Sequence, residues 1–246
     1  MRNIKLTIEY DGKDFNGWQR QPDKLNIQGT IEKAIEAVTG EVTDLNASGR
    51  TDAGVHAIGQ VANFKTNSKI PIEKIPVALN TKLKKTIRII NAEEVGERFH
   101  SRLSCKRKTY RYVINNLEFS SALYRNLECH IPQKLNIEKM QEAAKYFEGE
   151  HDFKAFKASG TSSKSSVRTI YEAKVYKRED DRIGIELTGN GFLYNMVRII
   201  SGTLVEVGLG KIKPEDITKI INDGKRENAG KTLPPYGLFL VKVEYN

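Results

Sequence analysis

One carboxylate stands between two glycines in the stretch Ala47-Ser48-Gly49-Arg50-Thr51-Asp52-Ala53-Gly54-Val55-His56-Ala57. A glycine lets the backbone approach a ligand closely, because no Cβ intervenes. Arg50 and His56 place hydrogen-bond donors on either side of the acid. An acid so flanked can serve as nucleophile or general base. The same residue types also build an Asx-turn, in which Asp beside Gly bonds its own backbone. A second charge weighs against a plain turn. Arg198 interrupts Phe192 to Val205, a run otherwise free of charge. A guanidinium on a buried helix face needs an anion, since an unpaired buried charge is very costly. A carboxylate such as Asp52 would answer it. Equally, the long side chain reaches solvent or binds a phosphate directly. Spacing leaves both readings open.

These residues need a frame, and the apolar pattern supplies one. Ile4, Leu6, Ile8 and Tyr10 alternate with polar residues, as in a half-buried strand. Ile31, Ala34, Ile35 and Val38 recur at helical spacing, and Gly40 ends the run. Strands are expected over 42–47 and 58–64, on either side of the glycine loop. Ile72, Ile75, Leu79 and Leu83 mark a helix with Pro76 in its first turns, and a strand follows over 86–92. The order recurs after residue 105. A strand over 106–114 carries Tyr110, Tyr112 and Ile114 on one face, and a helix spans Ile137 to Phe147. Strands follow over 170–176 and 183–188, then an apolar helix over 192–207, a helix opened by Pro214 and a strand over 238–245. This order predicts an α+β protein of two ferredoxin-like (split βαβ, RRM-like) halves, with antiparallel-rich sheets meeting around a central cleft. The halves are 1–104, carrying the Asp loop, and 105–246, carrying Tyr110 and Arg198. Residues 117–132 lack periodicity and read as a connector. Gly160 to Ser166 reads as a mobile loop by composition.

The chain has 246 residues, 39% of them apolar and 29% charged, which permits a packed core. Forty Lys and Arg against 31 Asp and Glu give a net charge of +9. That sign favours a polyanion partner, although a basic protein need not have one. Arg98 to Leu117 holds Arg98, Arg102, Lys106, Arg107, Lys108 and Arg111 with no acid, and Phe153 to Tyr171 holds Lys154, Lys157, Lys164 and Arg168 with no acid. The two cysteines, Cys105 and Cys129, exclude a Cys-rich zinc site and read as buried, reduced thiols. The four histidines show no metal-ligand spacing, so no metal is expected. Gly230-Lys231-Thr232 lacks the glycine that a phosphate loop requires at 225, where Lys stands. Gly189-Asn190-Gly191 lacks the third glycine of a dinucleotide fingerprint. The stretch from Leu187 to Val205 is broken by Arg198 and makes a poor membrane span. A soluble, cytoplasmic protein with no membrane partner is expected.

The whole chain resembles the A family of bacterial tRNA pseudouridine synthases. Tyr10-Asp11-Gly12, Phe15, Gly17-Trp18-Gln19 and Gln21 match its N-terminal signature, and Gly49 to Ala57 match its catalytic loop. Lys108-Thr109-Tyr110-Arg111-Tyr112 match the segment of its active-site tyrosine. Gly191-Phe192-Leu193-Tyr194-Asn195-Met196-Val197-Arg198 match its late motif, with Asn195 where His is more frequent. The resemblance implies isomerisation of uridine to pseudouridine without a cofactor. It implies Asp52 as nucleophile and Arg198 as the charge holding it ionised. It implies Tyr110 stacking on the uracil, with Arg50, His56, Gln19 and Arg168 on the substrate side. By pattern alone Tyr110 also suits an ordinary strand aromatic. The implied substrate is the anticodon arm of tRNA, at positions 38, 39 and 40, bound in the central RNA-binding cleft of a homodimer. The competing expectations are a non-catalytic basic RNA-binding module and a synthase acting on another RNA.

Overall fold

The computed structural model describes residues 1–160 and 165–245. The chain forms two compact units, Met1–Lys106 joined by the segment that begins at Phe239, and Arg107–Leu238. In chain order the first contains β1 (Arg2–Tyr10), α1 (Ile27–Thr39), β2 (Asn46–Ala47), β3 (His56–Thr66), α2 (Ile75–Asn80) and β4 (Ile87–Val95). The second contains β5 (Arg107–Asn115), β6 (Cys129–His130), α3 (Ile137–Lys145), β7 (Gly149–Asp152), β8 (Val167–Lys177), β9 (Ile183–Gly189), α4 (Met196–Gly208) and α5 (Asp216–Asp223). The chain closes with β10 (Leu238–Glu244). Strands and helices are mixed in each unit, an α+β organisation.

In the first unit, β1 runs between β3 and β4, antiparallel to both, with Leu6 opposite Ala62 and Ala92. Its alternation is explained by one buried face of Ile4, Leu6, Ile8 and Tyr10. The other side of β3 is shared. β2 pairs antiparallel near its end, at Ala47↔Ala62, and β10 lies parallel to its start, at Phe239↔His56. The closing strand, expected with the second half, therefore belongs to the first unit. α1 begins four residues before the apolar run, because the Asn26 carboxamide accepts the Gly29 N–H at 2.8 Å. It ends at Gly40 in the left-handed region, φ 73°. The strand expected over 42–47 shrinks to Asn46–Ala47. Side chains of α1 take the ladder's place: Glu32 accepts the Leu45 N–H at 3.1 Å, and Gln28 donates to the Leu45 carbonyl at 3.3 Å. The helix expected from Ile72 is a 3₁₀ turn, Ile72–Lys74, followed by the short α2.

In the second unit, β9 lies between β5 and β8, antiparallel to both, with Tyr110↔Leu187 and Val175↔Ile185. β7 extends the sheet beyond β8, at His151↔Arg168. The connector over 117–132 supplies β6, parallel to β5 at Ile114↔Cys129. It is anchored by buried Glu128, which accepts from Arg182 and Asn115 at 2.7 Å each. α4 starts at Met196 instead of Phe192, because Asn195 adopts the left-handed conformation, φ 60°. Cys129 is buried as expected, but Cys105 is only half-buried. Residues 161–164 of the expected Gly160–Ser166 loop lie outside the described residues. Among the described residues no helix is long and apolar enough to cross a membrane.

Leu240 of β10 is fully buried. Leu240→Ala should cost about 2–4 kcal/mol, and hydrogen exchange should show where. Amides of β1 and β3 should open faster while those of β8 and β9 keep their protection. Equal acceleration in β8 and β9 would contradict the assignment of β10 to the first unit.

Candidate active site

Asp52 is half-buried in the loop between β2 and β3, and hydrogen bonds fix that loop along its length. The Ser48 N–H donates to the Val61 carbonyl at 2.7 Å, and its hydroxyl donates to Gln60 Oε1 at 2.7 Å. Gln60 Nε2 returns a bond to the Gly49 carbonyl at 2.9 Å. Gln60 is fully buried, so its amide is a polar anchor inside the core. The Thr51 carbonyl accepts the Trp18 N–H at 3.0 Å, and the Thr51 hydroxyl meets the Tyr10 hydroxyl at 2.7 Å. Burial pushes the Tyr10 phenol well above its ordinary range, outweighing the hydrogen bonds to Thr51 and Gln60, so it stays neutral. The Gly54 N–H reaches the Phe15 carbonyl at 3.4 Å, and the Val55 N–H closes a turn on the Asp52 carbonyl at 3.1 Å.

Residues 10–18 thus form a collar around the acid. Two of its glycines touch the loop backbone directly. A Cβ on Gly12 would lie 1.9 Å from the Val55 carbonyl oxygen. A Cβ on Gly17, whose φ is +81°, would lie 2.6 Å from the Thr51 oxygen and 3.0 Å from the Asp52 carbonyl carbon. No side chain fits at either place. Gln19 follows Trp18, half-buried, and Arg50 is exposed beside the acid in sequence.

His56, expected on the substrate side, is buried. It is 1% exposed and stacks on Phe239 at 4.9 Å. Its Nδ1 lies 3.1 Å from both the Gly12 N–H and Asp11 Oδ1. A ring so enclosed supports the collar from beneath; as the first residue of β3 it faces the core, which its position in the loop sequence did not disclose.

The second unit holds the remaining site residues. Tyr110 on β5 is 8% exposed and meets the Phe192 ring edge-on at 5.2 Å. A Cβ on Gly191 would be 3.6 Å from Arg168 Nε, an ordinary contact, so the Arg168 side chain passes beside this glycine. Arg168 donates to the Ser165 and Val167 carbonyls at 3.1 and 2.6 Å, and burial lowers its pKa. Tyr110, Phe192, Gly191 and Arg168 therefore form one cluster. Arg198 on α4 donates through Nε to the Leu233 carbonyl and through Nη1 to Asn195 Oδ1, each at 2.7 Å. Gln60, Phe192 and Leu233 escaped sequence reasoning as site-builders. Phe192 had a signal in its place beside Gly191; a backbone carbonyl such as that of Leu233 has none.

The basic runs are altered by partners distant in sequence. Arg111 is bound by Glu186 at 2.6 Å, and the Tyr176 hydroxyl donates to the same carboxylate at 3.0 Å. Arg107 lies over the Tyr171 ring, 4.7 Å from its centroid. Arg98, Arg102, Lys106 and Arg107 are exposed, and Lys164 lies outside the described residues. Among the described residues no cluster of three or more His, Cys, Asp or Glu could hold a metal ion.

A family model described as tRNA pseudouridine synthase matches residues 6–103 and 143–246. Both Asp52 and Arg198 fall inside the matched segments, and Tyr110 falls between them. The chain is 53% identical over 245 residues to a protein of Acetivibrio thermocellus named tRNA pseudouridine synthase A, covering 100% of each. A protein of the same name from Caldicellulosiruptor saccharolyticus is also 53% identical with 100% coverage of each. The same identity and coverage hold for a Clostridium perfringens protein named tRNA pseudouridine synthase A 2.

Gly17→Ala should push the Asp52 loop out of place. Turnover should fall by about a hundredfold with RNA affinity nearly unchanged. Gly40→Ala is the control: it has similar positive φ, 73°, but nothing within 4 Å of its Cβ. It should lower thermal stability and leave the rate per folded molecule intact. Equal kinetic losses in the two variants would refute the collar.

Proposed function

The chain belongs to the tRNA pseudouridine synthase family, an isomerase converting uridine to pseudouridine in tRNA, and from that premise we propose how its own residues carry the reaction. The C1′–N1 glycosidic bond breaks, the uracil turns, and C1′ bonds to C5. The C5 proton leaves and N1 gains one. Atoms and electrons balance within the substrate, so the reaction draws on no cofactor. Asp52 is the nucleophile. The observation that carries this reading is the collar: a single half-buried carboxylate is held by backbone contacts on both flanks, as a reacting group must be.

Arg198 supplies the positive charge that keeps Asp52 ionised. Tyr110 stacks on the uracil and assists removal of the C5 proton, its ring braced by Phe192. Arg50 contacts phosphate or the place vacated by the flipped base, with Gln19 and Arg168 beside the substrate. His56 acts from beneath the loop. The substrate site is the anticodon arm, at positions 38, 39 and 40. The strand orders β4-β1-β3 with β2 on β3, and β5-β9-β8, support reading each unit as a ferredoxin-like split βαβ. On this reading the halves divide near residue 105. The protein works in the cytoplasm as a homodimer. Sedimentation of the pure protein tests that state, and a strictly monomeric species contradicts it.

Unmodified tRNA transcripts incubated with the protein should gain pseudouridine at positions 38, 39 and 40. Modification confined to another arm, or to ribosomal RNA, would overturn the substrate assignment. Arg198→Met should slow the single-turnover rate by about a hundredfold or more. Losing the counter-charge raises a carboxylate pKa, so the acidic limb of the pH–rate profile should move upward by about 1–3 units. A wild-type rate and profile would remove Arg198 from the mechanism.

Salt dependence tests the RNA surface. Neutralising Lys106, Arg107 and Lys108 should flatten the slope of log affinity against log salt by roughly 0.7–0.9 for each phosphate left without its cation. Arg111→Gln should leave the slope unchanged, because Glu186 already balances that charge. A slope that responds to Arg111 and not to the triple variant would show that the run faces the other way.

A further inference from the structure

We propose that the Leu233–Pro234 peptide sets the direction of the Arg198 guanidinium, and that Asn195 and Tyr112 are positioning residues acting through it. The inference rests on the reading in which Arg198 is the counter-charge of the catalytic acid.

A guanidinium is a rigid planar fork with five N–H donors. Holding Nε and one Nη fixes its plane and the direction of every remaining donor. Both are held here. Nε donates to the Leu233 carbonyl at 2.7 Å, while the Leu233 N–H donates back to the Arg198 carbonyl at 3.3 Å. That reciprocal pair ties Arg198 to one residue, Leu233, through the peptides on both its sides. Nη1 donates to Asn195 Oδ1 at 2.7 Å. Asn195 stands three residues earlier, in a left-handed conformation that Asn tolerates better than most residues.

The peptide is itself immobilised. A Cβ on Gly202 of α4 would lie 1.9 Å from the Lys231 carbonyl oxygen. The Gly230 N–H donates at 2.8 Å to the hydroxyl of buried Thr203. Arg226 donates to the Gly230 carbonyl at 3.0 Å and to the Thr232 hydroxyl at 3.1 Å. The Gly230-Lys231-Thr232 sequence, which fails as a phosphate loop, has this structural task. On the next peptide, the hydroxyl of fully buried Tyr112 donates to the Pro234 carbonyl at 2.7 Å. Tyr112 lies two residues beyond Tyr110 on β5, so one short segment orients Arg198 and is fastened to the strand that carries Tyr110.

Two variants test this. Asn195→Gly removes the acceptor and keeps the backbone conformation unstrained. Tyr112→Phe removes one hydroxyl and keeps the ring. Each is measured for single-turnover rate against pH, tRNA affinity and thermal melting, alone and in an Arg198→Met background. Asn195→Gly should lower the rate about ten- to a hundredfold and move the acidic limb upward, with tRNA affinity unchanged. Tyr112→Phe should act in the same direction and less strongly. Neither should slow Arg198→Met further, since both act through that side chain. If Arg198→Met is crippled but both variants keep the wild-type rate and profile, the positioning inference fails and the catalytic reading stands. If Arg198→Met itself is wild type, the catalytic reading fails. A drop in melting temperature without a shifted profile also overturns the inference, because that is what structural damage alone would give.

Discussion

The Asp52 loop is held by backbone lying against backbone. The chain at Gly12 and Gly17 passes so close to Val55 and Thr51 that a single added carbon would stand 1.9 or 2.6 Å from an oxygen. Such proximity leaves little freedom, because protein interiors do not deform to admit an extra atom cheaply. Three strands of the first unit support this approach. β1 delivers the Tyr10 hydroxyl to Thr51, β3 delivers Gln60 to Ser48 and Gly49, and β10 places Phe239 under His56. The result is a loop whose backbone course is set by its neighbours, and fixing a group in advance is how a protein lowers the entropic cost of a reaction.

The second unit uses the same device on a different charge. Arg198 is positioned through Nε and Nη1 by carbonyl and carboxamide oxygens, which fix the plane of the guanidinium. Arg111 is held by a carboxylate. Glu186 satisfies it, and it becomes part of the sheet.

Local signals were legible in the sequence, and distant partners were not. The alternation of β1 and the Gly40 stop of α1 come from neighbours in the chain, and so could be read. The loss of most of the strand before Asn46 arises from Glu32 and Gln28 reaching Leu45 across thirteen or more positions. The late start of α4 turns on the backbone conformation of Asn195, which an apolar run does not reveal. β10 joined the first unit because its pairing with β3 spans most of the chain. Among the candidate site residues, Asp52, Tyr110 and Arg198 stood out by type and motif, whereas the burial of His56 is a tertiary fact that its place in the loop does not announce. Gln60 and the Leu233 carbonyl left no local signal.

The central claim is that the charge and nucleophilicity of Asp52 drive the isomerisation. Asp52→Asn tests it most directly, since Asn has nearly the same size and the collar holds the loop through its backbone and neighbouring residues. Single-turnover incubation with unmodified tRNA, read out as pseudouridine formed, should show none above the protein-free control. Melting temperature and tRNA affinity should stay near wild type, with affinity slightly tighter for the loss of one negative charge. Pseudouridine formed by a clean Asp52→Asn preparation at a rate near wild type would contradict the account.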